Sequence, residues 1–320
     1  MKKVMLIISF IFIGMFIEMF NLTTHAETRH QPITMAYYRI WRDITMPKNA
    51  NSDLPYENVI SMTDLPSGLD IVSLFHYVKP GTNQEKSWQT VHDVYVPTLH
   101  KRGTKVIKTL GIEEIYDVPS KQQTPTQKEY DDYAQKLIET HLIPYNLDGL
   151  DIDMEAHLTS SQEEKAIHVI YSLNRKLKQE TSHPKLLIYD TNQDNHHLFK
   201  EIASQIDYLF LQAYGRDTKS LDQTWQTYRN TISATKFVPS ITFPEEQDQN
   251  RWYDAYEPFK TSNAYLYAKW QPIDGPKGGM FIYAIDRDGK KYGDDTITKT
   301  DFSWTNRIID TIKEDSNKTR

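Results

Sequence analysis

The chain has no cysteine. Disulfide frameworks, thiol nucleophiles and cysteine-ligated metals are excluded with it. No long basic run occurs, and 37 Lys and Arg against 43 Asp and Glu leave a net charge of -6. That balance argues against nucleic acid or an anionic membrane as the partner. Eleven histidines include the adjacent His196 and His197, yet none falls into HExxH or another zinc spacing. Only one long apolar run exists, Val4 to Phe20, preceded by Lys2 and Lys3 and followed by a polar stretch ending in Thr24-His25-Ala26. It reads as a signal peptide, residues 1–26, cleaved after Ala26, which implies a secreted or cell-surface protein with no stable membrane insertion afterwards. A retained anchor is the competing reading, because the run is about long enough to span a bilayer, although Glu18 interrupts it. No linker, repeat or low-complexity segment divides residues 27–320, so they are expected to form one domain.

Against these absences stand 20 tyrosines and six tryptophans, which suit flat stacking surfaces as well as ordinary core. Eight strand-like runs alternate with helical patterns: 33–40, 69–78, 104–111, 147–155, 185–190, 206–215, 236–243 and 278–288. Between them, 87–103, 125–143 and 160–179 carry apolar residues at three- and four-residue intervals, the last with Ser160 or Ser161 as its cap. Weaker helices are expected at 196–205, 218–230 and 246–269, with a final one near 303–313 and a frayed polar tail from Glu314. The count predicts an α/β fold, a (β/α)8 barrel in a single domain. A doubly wound open sheet would want glycines after its first strand, and the Trp41-Arg42-Asp43 turn has none.

The stretch LDGLDIDMEAH, Leu147 to His157, sets Asp151, Asp153 and Glu155 at alternate positions among Leu150, Ile152 and Met154. In a strand, residues two apart share a face about 6.5–7 Å from one another. A barrel strand should be apolar on both faces, and three dry, ionised acids on one face would repel strongly. The ladder is tolerable if exposure grows along the strand, placing Glu155 in the C-terminal mouth where such barrels keep their chemistry. Binding a hard cation and a solvated loop are the alternatives. Acid–base work fits better: like charges in contact share protons, and a glycosidase needs one carboxyl held protonated for the leaving oxygen. Glu155 suits that role, with Asp153 ionised during catalysis while Asp151 holds or shares its proton.

LDGLDIDME also matches the DGxDxDxE signature of glycoside hydrolase family 18, with Asp148, Gly149, Asp151, Asp153 and Glu155 all in register. LFHY (74–77), LQAY (211–214) and MFIYAIDRD (280–288) fall where strands of that family would stand. The resemblance implies a general acid/base at Glu155 and a nucleophile supplied by the substrate's own 2-acetamido oxygen. Asp153 would orient that acetamide, Asp151 would support Asp153, and Tyr214 would hydrogen-bond the acetamide with Gln212 on the same face. No metal or organic cofactor is required. Chitinases of the family typically carry a tryptophan where this chain has Met154, and another on the eighth strand, where it has MFIYAIDRD. Only 34 residues separate Phe243 from Gly278, too few for the usual chitinase insertion. The resemblance therefore leans to the endo-β-N-acetylglucosaminidases, which cut the core of N-linked glycans on glycoproteins, with high-mannose or hybrid glycans expected. A chitinase and a glycan-binding member are the alternatives, and a monomer is the expected state. Softer substrate-binding candidates are Tyr38, Phe75, Tyr77, Glu113, Tyr283 and Asp286. His157, Glu114, Trp41 and Trp270 are weaker still.

Overall fold

The computed structural model describes residues 31–47, 50, 54–76, 83–122, 124–179, 183–249 and 251–318. The apolar leader, its cleavage site and Tyr77 lie outside these residues. Eight parallel strands pair in sequence order and close on themselves. They are β1 (Ile33–Arg39), β2 (Ile71–Phe75), β3 (Lys105–Gly111), β4 (Gly149–Met154), β5 (Leu186–Thr191), β6 (Tyr208–Leu211), β7 (Phe237–Thr242) and β8 (Gly279–Tyr283). All eight were legible as apolar runs, because each buries both faces.

Alternation along these strands sorts the side chains into two layers. Met35, Tyr37, Ile71, Ile107, Ile188, Phe210, Val238 and Phe281 pack together inside the barrel. The residues between them in sequence, such as Ala36, Tyr38, Val72, Leu150, Ile152 and Met154, join the larger core between strands and helices. Met154 is thus packing beneath the helices, 3% exposed, and not part of a sugar-binding floor. Gly149, in the acidic signature, sits where a Cβ would come within 2.4 Å of the Leu186 carbonyl oxygen on β5. Its role is close strand approach.

The 87–103 helix is interrupted: α1 (Glu85–Thr90) and α2 (Val96–Lys101) flank a π-helical stretch, Val91–Tyr95. Pro97, which lacks an N–H, opens α2 and accounts for the break. A short α3 (Ile112–Tyr116) follows β3. Next, α4 (Gln127–His141) and α5 (Ser160–Leu177) each begin with a capping box, Thr126 with Glu129 and Thr159 with Gln162. The α5 cap is therefore Thr159, one residue before the expected serines. Beyond them lie α6 (His197–Ile202), α7 (Thr218–Tyr228), α8 (Asn263–Lys269) and α9 (Ser303–Lys318).

The expected helix at 246–269 is mostly wrong. Only Asn263–Lys269 is α-helical, because Pro258 breaks the pattern and Gln247, Asp248 and Tyr253 have φ of 57°, 58° and 53°. The chain instead forms a long loop over the mouth. Asp254, fully buried, pins it: its carboxylate accepts from the Gly215 N–H at 2.9 Å, the Thr242 N–H at 3.2 Å and Asn263 Nδ2 at 2.9 Å. One carboxylate thus ties the ends of β6 and β7 to the start of α8, and burial raises its pKa to about 6.

Candidate active site

At the C-terminal ends of the strands the barrel opens into a cavity of about 620 Å³. The β4 ladder descends into it by its strand period. Glu155 is exposed at the rim, Asp153 is half-buried below it, and Asp151 is fully buried at the base. Asp148, the first acid of the signature, stands at the opposite end of β4. There its Oδ2 accepts from the Val106 N–H at 2.8 Å and lies 2.7 Å from His100 Nε2. Its work is structural.

Each carboxyl has a distinct environment. Asp151 Oδ2 accepts from Tyr37 Oη at 2.7 Å and from Thr109 Oγ1 at 2.9 Å. Thr109 is in turn 2.7 Å from Ser73 Oγ, so a polar layer from β1, β2 and β3 supports this acid. Burial raises the Asp151 pKa to about 6, against the pull of the two hydroxyl donors. Asp153 is pushed further, to about 8, by burial and then by the charges of Glu155, Asp151 and Glu113. Among the described residues it accepts one hydrogen bond, from Gln212 Nε2 at 3.3 Å. Burial and mutual repulsion thus favour keeping a proton among these acids at neutral pH, and Asp153 is pushed further in that direction than Asp151.

A fourth acid was missed. Asp190 ends β5 directly beside Asp153 in the strand register. It is 3% exposed and lines the cavity, and its Oδ2 accepts from Gln212 Nε2 at 3.0 Å. Burial and then the charges of Asp151 and Asp153 hold its pKa well above the usual carboxylate range. The available signal was a lone acid closing the apolar run LLIYD.

Aromatic side chains form the remaining wall. Tyr37, Phe75, Tyr214 and Tyr283 all line the cavity. Ring contacts hold them in place: Phe75 meets Tyr283 edge-on at 5.5 Å and Tyr37 at 5.8 Å, while Tyr214 lies 6.1 Å from Tyr283. Burial keeps the Tyr214 hydroxyl protonated by raising its pKa well above the usual value. Asn192, Arg216 and Trp252 complete the lining, none of them singled out by sequence. Gly215 explains how Trp252 gets there. With φ of 66°, it turns the chain after β6, and a Cβ on it would fall 2.9 Å from the indole.

Of the expected residues, Glu155, Asp153, Tyr214, Gln212, Phe75 and Tyr283 meet at the cavity, with Asp151 beneath them. Three substrate-binding candidates are corrected. Tyr38 points outward, and its hydroxyl donates to Asp43 Oδ2 at 2.6 Å and the Ile60 carbonyl at 3.1 Å. The inward residue is its neighbour Tyr37. Asp286 is buried against Arg39, which donates from Nε at 2.9 Å and from Nη2 at 2.5 Å. Glu113 is exposed past the end of β3, outside the cavity lining, and its charge raises the pKa of Asp153. Among the weaker candidates, Glu114 lies 3.6 Å from His141 and His157 is exposed outside the lining. Trp270 donates to Asp222 Oδ1 at 2.9 Å beneath the helices, and Trp41 packs 5.9 Å from Phe75 without lining the cavity. Among the described residues, no three His, Asp or Glu side chains converge as a metal-holding group.

The family model for the TIM-barrel domain of endo-β-N-acetylglucosaminidase EndoS matches residues 36–282. An endo-β-N-acetylglucosaminidase of Bifidobacterium longum subsp. infantis is 39% identical over 293 residues, 86% of this chain and 53% of its own. The chain thus spans about half of that relative's length. Endo-β-N-acetylglucosaminidase F2 of Elizabethkingia meningoseptica is 37% identical over 92% of this chain and 85% of its own. The crystal structure of an endo-β-N-acetylglucosaminidase from Cordyceps militaris superposes with a TM-score of 0.79 at 37% identity, covering 88% and 91% of the two chains. A double mutant of that enzyme has been solved with fucosyl-N-acetylglucosamine-Asn. The chain belongs to the endo-β-N-acetylglucosaminidase family of TIM barrels.

Proposed function

We propose that this protein is an endo-β-N-acetylglucosaminidase that hydrolyses the bond between the two core N-acetylglucosamines of N-linked glycans. The observation that carries the proposal is the β4 ladder, with Glu155 exposed above Asp153 in an aromatic-walled cavity. Glu155 donates its proton to the glycosidic oxygen as that bond breaks. The acetamido oxygen of the same sugar attacks the anomeric carbon and gives an oxazolinium ion, the substrate-assisted exception to the two-carboxylate scheme. The acetamido N–H needs an acceptor as positive charge develops, and Asp153 supplies it once the cluster's proton moves off it. The Tyr214 hydroxyl, across the cavity on the chain following β6, donates to the acetamido oxygen. Water then adds to the anomeric carbon, giving its proton to the Glu155 carboxylate. The acetamide reforms, with overall retention.

High-mannose and hybrid glycans are the substrates we expect. The fucosyl-N-acetylglucosamine-Asn held by the Cordyceps relative adds core-fucosylated glycans to those worth testing. Export after cleavage at Ala26 places the enzyme where glycoproteins are met. The test is to incubate the protein with a high-mannose glycoprotein, a core-fucosylated complex-type glycoprotein and chitin oligomers, and to identify the products by mass spectrometry. A glycan released with one N-acetylglucosamine at its reducing end supports the proposal. Shortened chitin oligomers alone would replace it with a chitinase.

A further inference from the structure

We propose that Asp190 is a positioning residue for this reaction: a carboxyl group that keeps its proton in the working site and, through Gln212, aims Asp153 at the substrate's acetamide. The inference rests on the reading of the site given above and adds a member to it.

Three observations converge. First, Asp190 is almost wholly buried and faces acids: Asp151, Asp153 and Glu155 on β4 and its continuation. From the opposite elements, the described groups nearest it are the neutral Gln212 and Tyr214 after β6 and Tyr37 on β1. Among the described residues Arg216 is the one basic residue lining the cavity, and its guanidinium donates to Thr224 Oγ1 at 2.9 Å and to the Asn192 carbonyl at 2.6 Å. A second buried carboxylate in this group of acids would lack a counter-charge among the described residues, and a carboxyl so placed holds its proton.

Second, one nitrogen bridges two acids. Gln212 Nε2 donates to Asp190 Oδ2 at 3.0 Å and to Asp153 Oδ1 at 3.3 Å. The contact from Gln212 is the one hydrogen bond recorded for the Asp153 carboxyl among the described residues, so the orientation of Asp153 depends on what fixes that amide. Asp190 is what fixes it. Third, Asp190 Oδ1 and Asp151 Oδ1 are both buried without a hydrogen-bond partner. Buried acceptors without a partner are costly, and a carboxyl that keeps its proton has one fewer bare acceptor to satisfy.

The test compares wild type, Asp190→Asn and Asp190→Ala. Infrared difference spectra of wild type against Asp190→Asn at neutral pH, with deuterium exchange for assignment, should show a carboxylic-acid C=O band that only the wild type has. Loss of carboxylate bands instead would mean that Asp190 is ionised, and the proposal fails. In kinetics on an N-glycan, Asp190→Ala should lower kcat by about 10- to 100-fold, the effect of freeing one oriented group. Asp190→Asn keeps an acceptor for Gln212 on a neutral side chain and should recover about tenfold or more of that loss. An Asn variant as slow as the Ala variant, or an Ala variant as fast as wild type, would overturn the role. Should Asp190→Ala fail to fold, the infrared comparison decides alone. The infrared result needs no turnover, so a wild type inactive on N-glycans would refute the proposed function without touching this protonation state.

Discussion

Replacing Asp153 by asparagine should stabilise the protein at neutral and alkaline pH while it cripples the reaction. Asp153 titrates at about 8 in the fold, against an ordinary 3.8, because burial and the charges of Glu155, Asp151 and Glu113 disfavour its ionised form. Between those two values the unfolded chain has released a proton that the folded chain still holds. Stability therefore falls as pH rises through this window. At about 1.4 kcal/mol per pH unit the loss would be a little over 4 kcal/mol by pH 7, and solvent reaching the half-buried carboxyl reduces it to about 1–3 kcal/mol. Asparagine stays neutral throughout and still offers Gln212 an oxygen. The unfolding free energy of Asp153→Asn relative to wild type should be near zero at pH 4 and rise by about 1–3 kcal/mol by pH 8. Urea denaturation followed by circular dichroism at each pH measures it. A difference that stays flat, or falls as pH rises, would refute the reasoning. The same substitution should lower kcat about 100-fold or more, because the acetamide loses its charged acceptor.

Four further outcomes are expected. Glu155→Gln should leave the fold intact without lowering its denaturation midpoint and reduce kcat on an N-glycan by about 100- to 10,000-fold; an active, well-folded variant would remove it as the acid. Tyr214→Phe should reduce kcat less, by about 10- to 100-fold, and unchanged turnover would take Tyr214 out of the chemistry. Trp252, on the loop over the mouth, is 51% exposed, so truncation to alanine should cost little stability but raise KM about tenfold. Tyr37→Phe removes one of two donors to the buried Asp151, and thermal unfolding should report a loss of about 1–3 kcal/mol at pH 7.

The barrel was readable because every strand is a short, doubly buried apolar run, and β4 was readable because acids break that pattern at a period of two. The same double burial hid the phase of β1. With Met35-Ala36-Tyr37-Tyr38 apolar or aromatic on both faces, sequence offers no reason to prefer Tyr37 over Tyr38, and the wrong one was expected inside. Asp190 was hidden by isolation: one acid after LLIYD makes no pattern until β5 lies beside β4. Trp252 and Arg216 come from loops, whose course over the mouth depends on Gly215 and the buried Asp254, contacts that join residues far apart in the chain. Asp286 and Glu113 stand near strand ends as expected, yet Arg39 claims the first and solvent the second.

The most direct measurement is the intact mass of one defined N-glycoprotein, with a single occupied asparagine, before and after incubation with wild type and with Glu155→Gln. The expected result is a glycoprotein reduced to one N-acetylglucosamine, with any core fucose, on that asparagine by the wild type and left whole by the variant. An unchanged mass with folded wild type, or a bare asparagine, would contradict cleavage between the two core sugars.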